Sequence, residues 1–78
     1  MVTLDEVKQV IPSSIKVEKY IESFGWGIKV YYTKNAPQFK IKKIGNYYFQ
    51  WHYNEYPQNG IKIRLYLQVN PKEVGMGI

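Results

Sequence analysis

The side chains able to act on a partner recur at every second position in four short stretches: Lys29 and Tyr31; Lys40 and Lys42; Tyr48, Gln50 and His52; Lys62, Arg64 and Tyr66. Lysine and arginine neutralise phosphate, and a phenol ring gives a nucleobase a stacking surface worth about 1–3 kcal/mol. Amide and imidazole groups add hydrogen bonds to base edges. This is the chemistry of holding a strand of nucleic acid, not of breaking a bond.

Catalytic and metal chemistry finds little support. His52 is the only histidine and there is no cysteine, which excludes His-only metal clusters, thiolate zinc sites and cysteine nucleophiles. No serine or threonine nucleophile lies in a motif around His52. Asp5 and Glu6 belong to a helix cap, and Glu18 and Glu22 to an ordinary surface. Gly25 and Gly27 flank Trp26 without the strand-to-helix context of a phosphate cradle. The expectation is a non-enzyme that needs no cofactor.

Charge placement points the same way. Residues 1–25 hold three lysines against four acids, whereas residues 26–70 hold six lysines and Arg64 against Glu55 alone. A field of that sign favours a polyanion. The expected partner is nucleic acid, single-stranded by preference. The alternative is a protein partner, engaged through Tyr48, Tyr66 and Arg64 or by pairing along an edge strand. No apolar run approaches the roughly 18 residues of a membrane span. The first residues lack the layout of a signal peptide, so a cytoplasmic protein without membrane association is expected.

The elements that must position these residues follow from periodicity. Thr3-Leu4-Asp5-Glu6 has the form of a capping box, and Leu4, Val7 and Ile11 make one apolar stripe that Pro12 ends. Residues 15–24 fit either period; Ile15 and Val17 favour an extended strand turning at Phe24-Gly25. Trp26 to Tyr32, Gln38 to Lys43, Tyr47 to Tyr53 and Ile61 to Val69 alternate with period two, as half-buried strands do. Lys34 to Pro37 reads as a loop, and Ile44-Gly45-Asn46 as a three-residue turn that pairs Ile41 with Phe49. Asn54 to Gly60 reads as a seven-residue connection carrying Glu55, a loop position that specificity and turn geometry explain equally. Asn70-Pro71-Lys72-Glu73 has the form of a helical turn, and residues 75–78 of a frayed tail.

Seventy-eight residues make one domain, 1–78, which buries only about 60% of its unfolded surface. The expected fold is α+β: an antiparallel meander of four or five strands with a short N-terminal helix on one face. A small curled barrel is the alternative. With sequential strands paired, the inner rows read Tyr32, Phe39, Trp51, Ile63 and Val30, Ile41, Phe49, Leu65. A third inner row takes Lys43 with Tyr47 and Leu67, Lys43 snorkelling outward. The outer rows gather Lys29, Tyr31, Lys40, Lys42, Tyr48, Gln50, His52, Lys62, Arg64 and Tyr66 on one basic, tyrosine-rich surface.

Overall fold

The computed structural model describes residues 2–23, 25–34 and 39–70, those at 53–58 as backbone only. Helix α1 (Leu4–Val10) begins with the expected reciprocal cap: Glu6 N–H donates to Thr3 Oγ1 at 3.2 Å, and Thr3 N–H donates to Glu6 Oε1 at 2.8 Å. Two turns cannot persist alone, so α1 depends on docking. It packs chiefly on the sheet's two edge strands and buries Val7 and Ile11 completely.

Five strands follow: β1 (Ser14–Glu22), β2 (Gly25–Tyr32), β3 (Ile41–Ile44), β4 (Tyr47–Gln58) and β5 (Ile61–Val69). All pairs are antiparallel, in the order β1-β2-β5-β4-β3, and the sheet is not closed into a barrel. This is the expected α+β sheet, with residues 14–22 extended as the β-branched residues suggested. The chain forms a hairpin (β1–β2) and a three-stranded meander (β3–β4–β5). Pairing of β2 with β5 joins the two. Hence β3 lies at the far edge and not beside β2, and the row assignments that assumed sequential neighbours give way.

Both turns in the meander are tighter than the sequence reading expected. Ile44 pairs with Tyr47 across a two-residue Gly45-Asn46 turn, which sets Ile41 against Gln50 and Lys42 against Phe49. The core selects this register, because it drives Ile44 inward to 1% exposure. Gly45 has φ 64° and sits against Glu6 and Val2, where a Cβ would meet the Glu6 carboxylate. The helix start and the turn are thus fitted to each other. The second turn is Asn59-Gly60, with both φ values positive (51° and 79°) and Gln58 paired with Ile61. Two left-handed residues suit the twist of a hairpin. Strand β4 therefore continues through Pro57 where a loop was expected, and Pro57 falls within a register irregularity between Glu55 and Gln58. Prolines inside sheets are tolerated at such places.

The core lies between α1 and one face of the sheet. Val7, Ile11, Ile28, Val30, Phe49 and Tyr66 are fully buried there. Trp26 packs edge-on against Tyr47 and Phe49, with centroids 5.0 and 5.6 Å apart. The other face carries no helix among the described residues. Loop residues 35–38, the helical turn expected near 70–73 and the tail at 75–78 lie wholly or mostly outside the described residues.

Candidate nucleic-acid interface

The register of β5 decides where the expected binding residues go. Ile28 faces Tyr66, Val30 faces Arg64 and Tyr32 faces Lys62, so the even-numbered residues of β5 share the helix side. Its odd-numbered residues, Ile61 to Val69, point to the open, helix-free face instead, where Leu65 and Leu67 are nonetheless buried. This corrects the expected outer surface: Lys62, Arg64 and Tyr66 leave it and an aliphatic row replaces them. Lys29, Tyr31, Tyr48 and Gln50 remain together on the open face. His52 is exposed at the irregularity between Trp51 and Tyr53. Lys40 and Lys42 are exposed at the β3 edge, Lys42 on the helix side opposite Phe49. Lys43 needs no snorkelling, because it faces outward opposite Tyr48.

Arg64 and Tyr66 act as core. Tyr66 lies flat on Phe39, with centroids 5.1 Å apart and ring planes within 6°. Arg64 is 7% exposed, its guanidinium 5.9 Å from the Tyr32 ring centre, so an aromatic face takes part of its charge. Burial pushes the Tyr66 phenol above the ordinary tyrosine range, and the neighbouring Arg64 charge only partly offsets this. The Tyr66 hydroxyl has no partner in good hydrogen-bond geometry among the described residues.

The two flanks of β5 differ in how their cations are used. On the β1–β2 flank, Lys16 Nζ is 3.7 Å from Glu18 Oε1 and lies over the Tyr31 ring at 5.2 Å. Lys29 lies over the Tyr20 ring at 5.3 Å. The Tyr31 hydroxyl hydrogen-bonds the Glu18 carboxylate, and with Lys16 and Lys29 nearby this holds Glu18 below the usual carboxylate range. Lys29 and Tyr31 are therefore already engaged within the chain.

On the β3–β4 flank, Lys40, Lys42 and Lys43 are exposed, and no acid occurs in the sequence between Glu22 and Glu55. Trp51, which the alternation had placed in the core, is 44% exposed. A shallow groove of 510 Å³ runs between Phe39, Lys40, Gln50 and Trp51. A second, of 640 Å³, is lined by Gln50, Trp51 and His52 on one side, Gly25 on the other, and Leu67 and Val69. The two grooves meet at Gln50 and Trp51. An exposed indole beside a lysine and an amide can stack a base and neutralise its phosphate. A signal for this neighbourhood was present in the sequence: a two-residue turn at Gly45-Asn46 pairs Ile41 with Gln50 and so carries Lys40 toward Trp51.

Among the described residues, no cluster of three histidine, cysteine or acidic side chains is placed to hold a metal ion, and no helix is long and apolar enough to cross a membrane. No protein-family model, no curated protein and no solved structure matches the chain, so the geometry of the site carries the functional reading.

Proposed function

We propose that the protein binds single-stranded nucleic acid along its β3–β4 flank, without catalysis. The observation that carries this reading is the half-exposed Trp51 beside Lys40, where two grooves meet. Trp51, on the helix side of the sheet opposite Tyr66, supplies a ring face to an unstacked base, and Tyr48 supplies a second one on the opposite side of the β3–β4 edge. Gln50 and His52 contact base edges or sugar, and Lys40, Lys42 and Lys43 neutralise phosphates. A duplex hides its base faces in the stack, so a site built on one exposed indole favours single strands.

Fluorescence anisotropy of labelled single- and double-stranded oligonucleotides over a salt series tests the proposal. Three acting cations give a logarithmic salt slope of about −2 on single strands. Weaker binding to duplex is expected. Tight binding with no salt dependence, or equal affinity for both forms, contradicts the reading.

A further inference from the structure

The two edges of the sheet are protected unequally. An edge strand leaves alternate backbone N–H and C=O groups unpaired, a template for another strand. Strand β3 is blunted by its four-residue length and by Lys42 and Lys43. Strand β1 is nine residues long, and its one irregularity lies at the very start, between Ser14 and Lys16. Near its other end Ile21 is 74% exposed, an aliphatic side chain left in water beside an open backbone edge.

The residues of β1 are ordered so that the strand can complement itself. We propose that β1 pairs antiparallel with β1 of a second copy, across a two-fold axis at Lys19, extending the sheet to ten strands. In that register Val17 lies opposite Ile21 of the second copy, and each exposed isoleucine gains an aliphatic neighbour. Lys16 lies opposite Glu22, and Glu18 opposite Tyr20. Symmetry makes each of these contacts twice.

Neighbouring registers are worse. An axis at Glu18 sets that carboxylate against its own copy, and an axis at Tyr20 sets Glu18 against Glu22. Shifts by one residue bring opposite faces of the strands together. The cost of the chosen register is Lys19 beside its copy. That ammonium already lies over the Trp26 ring at 5.5 Å, on the side of β1 away from the open edge. The dimer leaves both β3 edges free at the two ends of the joined sheet. It is independent of the nucleic-acid reading and is measured without any nucleic acid.

The absence of native cysteine makes cross-linking a clean test. Under mild oxidation, Lys19→Cys should form a disulfide-linked dimer, because the position meets itself at the axis. Ile21→Cys should not, since its copy lies about 13 Å away along the strands, beyond the roughly 7 Å Cα limit of a disulfide. Sedimentation equilibrium supplies the second readout. Glu22→Lys and Lys16→Glu chains should each dimerise at least roughly tenfold more weakly than the native chain. An equimolar mixture of the two should recover the native affinity, because it restores opposite charges across the axis. Equal cross-linking at positions 19 and 21, no cross-linking at 19, or dimerisation indifferent to Glu22→Lys overturns the proposal.

Discussion

On one flank of β5, strands β1 and β2 carry Lys16 and Lys29 within reach of Glu18, Tyr20 and Tyr31. On the other, residues 39–52 place Lys40 beside Trp51, carry Lys42 and Lys43 exposed on β3, and include no acid. Both flanks are rich in lysine and aromatic rings, and composition alone does not separate them. What separates them is the placement of acids. Glu18 and its tyrosine neighbours use up the charge of their flank, while nothing in residues 39–52 does the same for the other. A cation already facing a carboxylate and a ring has less to offer a phosphate.

The largest expected effect is indifferent to the flank. Phe49→Ala removes a fully buried ring from the core both flanks rest on, and should lower unfolding free energy by about 3–5 kcal/mol in urea titrations. Next comes the direct contrast. Trp51→Ala should weaken single-strand binding by about 1–3 kcal/mol in anisotropy titrations, whereas Tyr31→Ala, on the internally paired flank, should leave it nearly unchanged. Equal losses at the two positions would remove the distinction between the flanks.

A finer comparison uses salt. Replacing Lys42 or Lys43 by Gln should each make the logarithmic salt slope shallower by about 0.7. The same change at Lys16 should leave the slope as it was. The smallest effect concerns Glu18, whose lowered pKa means that its ionised form is favoured by folding. That contribution is present above the ordinary carboxylate range and is lost as pH falls through the folded value. Glu18→Gln should therefore be slightly less stable than the native chain in neutral urea titrations and indistinguishable from it in acid.

Much of the fold was legible because local rules and the core agreed. The Thr3–Glu6 capping box, the Val7 and Ile11 stripe and the alternation of β2 and β5 all report a residue's own neighbourhood. The strand order was not legible, because a fully apolar row such as Ile61 to Val69 does not announce that it faces away from the helix. Its register depends on β2 being the partner, a contact between distant parts of the chain. Arg64 and Tyr66 look like binding residues in sequence and become core through Tyr32 and Phe39. Trp51 went the other way. A large apolar ring reads as interior, yet Trp51 is half exposed, at the irregularity where β4 shifts register against β5. The Gly45-Asn46 turn holds the same lesson: the register that sets Ile41 against Gln50 also brings Lys40 beside Trp51.

The most direct test of that site is optical. The chain has two tryptophans, and Trp26→Phe leaves Trp51 as the sole indole. Titrating this variant with unlabelled single-stranded oligonucleotide should quench and saturate its tryptophan emission over the same concentrations that saturate anisotropy. Full binding by anisotropy with unchanged Trp51 emission would contradict the account.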